Sequence, residues 1–521
     1  MARARPVTAV VAALVMALGG AGAAAAAAPP SSPKAEAEAG TGAEVGAARS
    51  VRAGTPLSPE LEKIRAEEAR KLYGDPGERP MGERKSSLIS LGDSEISGEG
   101  VGTYEPGTNG PDNWCHRSPD SAVHRTGIQA DVTYNVACSG ASSENIRIGG
   151  TKQYADELVQ SDSLAIKARN TRLKQIMLVV GANDDLQFGP VMTDCVVRYL
   201  TLQGACEPKY DPGWQARIDG LVPKVEQTVT DLKSVMRDAG YADGDYQLVV
   251  MGYPSPIGPD VTDNPKFPGK LIGGCVGYTS DAAWGRNTAV PAFEKGVRKA
   301  AERTGASYLD ASRLFHGHEV CMENTWARGL YVDVLNPFPP DANSVRQSFH
   351  PNERGHGAFA SCFTAMYKAG QQGVREASCA DPDGKGTPKL YQQAWDDVFK
   401  PLRSAATGSC LDADGGHSAV GTKVRGWFCG ASQRNQQWWY DSAGRALYAG
   451  QTHDRCVESA GGVKEGATLV LGNCSGAAAQ QFVRDGATLK AASANLCVTL
   501  TGAEAQGRLA TCDGSAAQRF S

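Results

Sequence analysis

From Ser86 onward the chain alternates short apolar runs with longer amphipathic stretches. Leu88-Ile89-Ser90-Leu91 and the runs at 130–137, 175–180, 247–251 and 307–309 are brief, and each ends in polar or Gly-rich sequence, which predicts buried strands. Between them, Trp214 to Met236 carries Ile218, Leu221, Val222, Val225, Val229, Leu232 and Met236 at three- and four-residue spacing, the stripe of an amphipathic helix. Residues 289–303 read the same way. Strands alternating with helices predict βαβ units: an α/β fold with a parallel sheet, helices on both faces, and a site at the carboxyl ends of the strands.

The pattern changes near Ala394. Helical periodicity disappears, Gly becomes frequent, and three units begin at Cys410-Leu411-Asp412, Cys456-Val457-Glu458 and Cys497-Val498-Thr499. Each has a second Cys, at Cys429, Cys474 and Cys512, and each closes on Gln-x-aromatic, at Trp438, Phe482 and Phe520. Such a period marks a repeated unit that cannot bury its core alone, and three of them predict a small all-β trefoil over 394–521. This region resembles the ricin B-type lectin domain, which implies carbohydrate binding. By that likeness a binding lobe needs an Asp after the first Cys, a stacking aromatic and an Asn-Gln pair. The first repeat has Asp412, Trp427, Asn435 and Gln436. The second has Glu458, Gly472 and Ala479 and the third Thr499, Ala510 and Ala517, so one sugar site is expected.

At the other end, Arg3 and Arg5 precede the apolar run Val7 to Leu18 and an Ala-rich stretch before Pro29-Pro30. That order is the one of a secretory signal, expected over 1–28 with cleavage near Ala28, and it implies an extracellular location. Residues 29–85 read as a linker or pro-segment, largely disordered, with a marginal helix between Leu57 and Tyr73. The net charge of −4 argues against a nucleic-acid partner, and no later run is long enough for a membrane span. Fourteen Cys without a CxxC pair suit disulfides better than a metal cluster.

Candidate chemistry lies where the strands end. Ser94, in Gly92-Asp93-Ser94, follows the first strand at a turn that would expose its hydroxyl. Gly140 follows the second strand, and Gly181-Ala182-Asn183-Asp184 follows the third. His350 lies near the end of the domain, in Ser348-Phe349-His350-Pro351-Asn352. A nucleophile, two oxyanion donors and a base, each after a different element, fit acyl transfer. These four blocks in this order resemble the GDSL or SGNH hydrolase superfamily over about 86–369, within a catalytic domain expected to span 86–380. The stretches GDSEISGEG and Asn113 to Ser118 resemble its secreted actinobacterial lipases and esterases. The resemblance implies a three-layer α/β domain and no cofactor or metal. It makes Ser94 the nucleophile, His350 the base, and Gly140 and Asn183 partners of the Ser94 N–H in the oxyanion hole.

In one respect the chain departs from that family. Three residues before the His, where the family usually has Asp, stands Gln347. A Ser-His dyad oriented by the Gln347 or Ser348 carbonyl is therefore expected, with Asp341 as the rival. His316, His318 and Glu319 read as loop packing rather than a metal cluster, and Asp184-Asp185 as surface charge. Trp114, Phe188, Trp284 and Trp326 are candidates to face an acyl chain. Sequence order suggests pairing Cys115 with Cys138, Cys195 with Cys206, Cys275 with Cys321 and Cys362 with Cys379, although eight Cys allow 105 arrangements.

The expected function is a secreted lipase or esterase carrying a lectin module. The alternatives are a carbohydrate esterase acting on a bound polysaccharide and a non-catalytic sugar-binding adhesin.

Overall fold

The computed structural model describes residues 55–260, 270–331, 345–381, 386–392, 398–430, 433–452 and 454–521. The leader expected over 1–28 and the rival acid Asp341 lie outside them. No helix among the described residues is long and apolar enough to cross a membrane.

The N-terminal domain is built on β1 (Ser86–Gly92), β2 (Val132–Asn135), β3 (Arg172–Val179), β4 (Gln247–Met251), β5 (Ser307–Asp310), β6 (Glu376–Ala380) and β7 (Lys389–Tyr391). They form one sheet in the order β2-β1-β3-β4-β5-β6-β7, in which the first six are parallel and β7 runs antiparallel to β6. Every residue of β1 is buried, as in a sheet covered on both faces. Two groups of helices pack together: α1 (Pro59–Tyr73), α2 (Gln160–Asn170), α3 (Glu207–Asp238) and α5 (Val290–Thr304) in one, and α6 (Glu353–Gly370) with the short turn Ala122–Arg125 in the other; a further helix spans Phe188–Leu200. Between α3 and α5, α4 (Thr279–Trp284) continues into a π-helical turn, Gly285–Ala289.

The predicted strands and the two predicted helices are present, the long one reaching back to Glu207. The structure adds α6, β6 and β7. The β6 sequence, Glu-Ala-Ser-Cys-Ala, has too little apolar volume to be read as a buried strand, and Cys379 within it is tied to Cys362 on α6.

Before β1, the marginal helix expected between Leu57 and Tyr73 within the largely disordered 29–85 segment is present as α1, but it is docked on α2. The buried Arg65 guanidinium donates to Asn170 Oδ1 at 3.2 Å, Tyr73 Oη to the Asn170 carbonyl at 2.8 Å, and Lys167 pairs with Glu68. Polar partners compensate for the helix's thin apolar face.

The C-terminal domain repeats one hairpin three times: Cys410–Ala413 with Val424–Trp427, Arg455–Ser459 with Leu469–Asn473, and Leu496–Thr499 with Arg508–Thr511. Leu411, Val457 and Val498 meet Trp438, Phe482 and Phe520 in a single core. All fourteen Cys pair in the order suggested above, one bridge per trefoil repeat and four in the α/β domain.

Candidate active site

Strand β1 ends at Gly92, whose φ of +135° is left-handed; a Cβ there would lie 1.9 Å from the Val179 carbonyl oxygen. Only glycine lets β1 turn this close to β3. The Gln160 amide grips the same residue twice, accepting from the Gly92 N–H at 2.8 Å and donating to its carbonyl at 2.9 Å. Asp93 then caps a one-turn helix that begins at Ser94, accepting from the Glu95 N–H at 3.0 Å. Its other oxygen accepts from Tyr253 Oη at 2.5 Å in the core, and burial pushes the Asp93 carboxyl up to about 7.

His350 reaches this turn from far along the chain. The segment around it is paired with residues 326–328: Phe349 N–H donates to the Arg328 carbonyl, Arg328 N–H to the His350 carbonyl, and Asn352 N–H to the Trp326 carbonyl. Phe349 has a φ of +63°, a conformation that a bulky residue holds only when its surroundings enforce it. This kink folds the Ser348 carbonyl back onto the ring of His350, where Nδ1 lies 3.0 Å from it. A carbonyl only accepts, so Nδ1 carries the hydrogen and Nε2 is the basic nitrogen. Nε2 lies 2.8 Å from Ser94 Oγ. The Gln347 side chain faces elsewhere and accepts from Arg328. Burial pushes the His350 imidazole below its ordinary value, opposed chiefly by the Glu99 carboxylate.

Gly140 stands at a φ of +82°, where a Cβ would crowd Arg346 at 3.1 Å. Asn183 Nδ2 donates to the Ala141 carbonyl at 2.9 Å, joining the loops after β2 and β3. Nδ2 has two hydrogens, so one remains for an oxyanion. Neither the Ser94 nor the Gly140 N–H has an acceptor among the described residues. Asp184, expected as surface charge, instead fastens these loops: it accepts from Ser143 Oγ at 2.9 Å and from the Ser143 N–H at 3.2 Å. The Cys115–Cys138 bridge braces the same loop.

Four residues that the sequence did not single out individually support this site. Tyr253 holds Asp93. Glu99 and His116 form a fully buried pair at 2.8 Å, with Tyr104 stacked on His116 at 4.2 Å. Burial would raise the Glu99 carboxyl, but the hydrogen bond and charge of His116 outweigh it and hold it below the ordinary value. Tyr253 was marked only by its place after β4, whereas Glu99 and His116 lie within the stretches GDSEISGEG and Asn113–Ser118, which carried the resemblance without a role for either. Two expected acyl-facing residues lie elsewhere. Trp326 is buried and stacks on His318 at 3.8 Å, whereas Trp284 donates to Asp211 and lines a cleft against the trefoil. His318 Nε2 makes a hydrogen bond with Asp381 at 2.7 Å, Glu319 pairs with Arg286 at 3.3 Å, and burial pushes the His316 imidazole down to about 3, so these side chains are packed among neighbours.

In the trefoil, Asp412 Oδ2 accepts from Asn435 Nδ2 at 2.8 Å and from Gln436 Nε2 at 2.9 Å. Gln436 was expected to contact sugar. Its second Nε2 hydrogen, however, goes to the Phe428 carbonyl, and its Oε1 accepts from the Gly430 N–H. Gln480 and Gln518 are bound in the same way in the other repeats, so this glutamine is a scaffold residue. In the second repeat Glu458 Oε2 lies beside Gly472, the counterpart of Trp427, where a Cβ would be 2.2 Å away, and accepts from Gln480 Nε2 at 2.7 Å.

The model of the GDSL-like lipase/acylhydrolase family matches residues 90–358, and that of the ricin-type β-trefoil lectin domain matches 356–482 and 398–520. The chain belongs to the GDSL-like lipase/acylhydrolase family. It is an ester hydrolase carrying a ricin-type β-trefoil domain. Among relatives, Lipase 2 of Streptomyces coelicolor is 26% identical over 272 residues, covering 50% of this chain and 82% of that protein. The solved extracellular lipase of Streptomyces rimosus is 22% identical with a TM-score of 0.35, covering 55% of this chain and 99% of that one. The C-half of the earthworm R-type lectin, solved with GalNAc, is 20% identical with a TM-score of 0.21, covering 24% and 96%.

Proposed function

We propose that this GDSL-like hydrolase is a secreted serine esterase or lipase that works with a Ser94–His350 dyad, and that its trefoil holds a carbohydrate at the first repeat. The observation that carries this reading is the line from the Ser348 carbonyl through His350 to Ser94 Oγ, 3.0 Å and then 2.8 Å. His350 Nε2 takes the Ser94 proton as Oγ attacks the ester carbonyl. The Ser94 and Gly140 N–H groups and Asn183 Nδ2 receive the negative oxygen of the tetrahedral intermediate. The imidazolium then protonates the departing alkoxide, and water repeats the sequence on the acyl-enzyme. The Ser348 carbonyl fixes the tautomer but carries no full charge; Glu99, buried and anionic, supplies charge that favours the imidazolium.

Secretion is supported by the N-terminal charged, apolar, small-residue order and by seven disulfides with no free cysteine among the described residues. We assign catalysis to the domain expected over 86–380, whose sheet runs on to Tyr391 in β7 and against which α1 is docked, and sugar binding to 394–521. Asp412, Asn435 and Trp427 in the same chain favour a second reading, a carbohydrate esterase acting on a bound polysaccharide. A panel of esters from acetate to long-chain lipid, with acetylated xylan, separates the two when assayed on wild type and Ser94→Ala. Preference for acetylated xylan would favour the second reading, and turnover retained by Ser94→Ala would overturn the dyad.

A further inference from the structure

Asp412, Asn435 and Trp427 form one wall of a cleft of about 620 Å³ whose other wall belongs to the hydrolase domain, from α3, α4 and the turn after it. The volume lies in the range of small-molecule sites, roughly 300–1,000 Å³, and is several times that of one pyranose ring. We propose that this cleft is a composite saccharide site, in which Trp284 and Asp211 of the hydrolase domain receive the sugar units beyond the one held by the first trefoil repeat. The proposal rests on the reading that this repeat binds sugar and adds to it the hydrolase domain's share.

The hydrolase wall has the chemistry such a role needs. The half-buried indole of Trp284 donates to Asp211 Oδ1 at 2.7 Å and is packed edge-on against Trp214 at 5.1 Å, so its orientation is set before any ligand arrives. An aromatic ring beside a carboxylate matches the pair that Trp427 and Asp412 make opposite: the ring face meets the C–H groups of a sugar and the carboxylate accepts its hydroxyls. Asn435 and Gln436 both engage Asp412 Oδ2, which leaves Oδ1 for a ligand.

The cleft has a preset width. The 3₁₀ turn bearing Asn435 also bears Arg434, whose buried guanidinium enters the hydrolase domain and donates to Ser312 Oγ at 2.7 Å and to Glu294 at 3.4 Å. Arg286 donates to the Gly416 carbonyl at 2.6 Å, and Asp260 accepts from the Ser418 N–H at 2.9 Å. These contacts bind the two domains at the cleft's margins.

Charge selects the ligand. Glu207, Asp211 and Asp414 line the cleft with Asp412, whose carboxyl burial pushes up to about 7, against Arg425, which is itself paired with Asp414 at 3.0 Å and lies over Trp427 at 4.2 Å. An acidic cleft rich in acceptors suits a neutral saccharide and repels an anionic one.

Calorimetry on the full chain tests this with galactose, lactose, N-acetyllactosamine, xylotriose and 6′-sialyllactose. At least one neutral di- or trisaccharide should bind about tenfold more tightly than galactose, the worth of one aromatic contact. Trp284→Ala should remove that gain while leaving galactose affinity within about twofold, the usual limit for uncoupled sites. Ser280→Trp, which adds bulk to the same wall at an exposed position, should do likewise without touching the core. Hydrolysis of a soluble short-chain ester should be unchanged in both. Asp412→Ala should abolish binding of every probe. If Asp412→Ala abolishes binding but both hydrolase-wall variants bind oligosaccharide as wild type does, the composite site is overturned and the first-repeat reading stands. If Asp412→Ala binds normally, or wild type binds none of the probes, the first-repeat reading fails and the composite site with it. Tighter binding of 6′-sialyllactose than of lactose would overturn the charge argument.

Discussion

Tyr253 Oη donates to Asp93 Oδ2 at 2.5 Å, inside the core and one residue before Ser94 in sequence. The same hydroxyl accepts from the Ala182 N–H at 3.4 Å, so a single side chain after β4 connects the turn bearing Ser94 with the loop bearing Asn183. Replacing it by Phe leaves a buried carboxylate short of a donor, which costs about 1–3 kcal/mol. Tyr253→Phe should lower the unfolding midpoint in urea and reduce kcat more than it raises KM. A variant as stable as wild type would show that the bond contributes little.

Asp93 also makes stability depend on pH. Its folded value of about 7 lies above that of the unfolded chain, so the folded form binds the extra proton between about pH 4 and pH 7. Stability from this group therefore falls as pH rises through that window. Asp93→Asn removes the titration, and the wild-type advantage over it should shrink steadily from pH 4 to pH 7 in denaturant titrations. A constant difference would contradict the assignment.

For the chemistry, Ser94→Ala and His350→Ala should each remove nearly all ester hydrolysis while leaving the circular dichroism spectrum unchanged. Asn183→Ala should lose about 10²–10³ in kcat, as for one oxyanion donor among three. Turnover equal to wild type would take Asn183 out of the site.

Because a main-chain carbonyl orients His350, Gln347→Ala should keep activity within about tenfold, whereas loss of a true triad carboxylate costs about 10⁴. Asp341→Asn should be equally mild. A collapse on Asp341→Asn with the fold intact would make Asp341 the third member.

In the proposed dyad His350 must be neutral to act as base, and burial lowers its value, so the acid limb of kcat/KM should lie below the ordinary histidine range near 6.5. Glu99 opposes that shift. Glu99→Gln should move the limb further down and lower kcat, because the imidazolium loses its nearby negative charge. An unmoved limb in a folded variant would remove Glu99 from the electrostatics of the site.

The repeated hairpins of the trefoil and the βαβ order of the hydrolase were legible in the chain because periodicity records which side chains must leave water, and that demand is local. Ser94, Gly140 and Asn183 could be singled out because each follows a strand end that the pattern marks, and His350 because the block Ser348–Asn352 resembles the family's. By contrast, the acceptor for His350 depends on the positive φ of Phe349, which pairing with residues 326–328 enforces and which no spacing records. The docking of α1 is carried by Arg65 and Tyr73 reaching Asn170, a polar contact between segments distant in sequence. Gln436 illustrates the same limit: its residue type allowed it to bind sugar or scaffold, and only the fold, by bringing Asp412, Phe428 and Gly430 around one amide, decided for scaffold. Trp284 and Asp412 lie 128 positions apart and face a common cleft because Arg434 and Arg286 lock two separately legible domains together. Local pattern determined the elements and most of the reactive atoms; long-range hydrogen bonds and ion pairs, which leave no periodic trace, decided how those atoms are oriented and which surfaces meet.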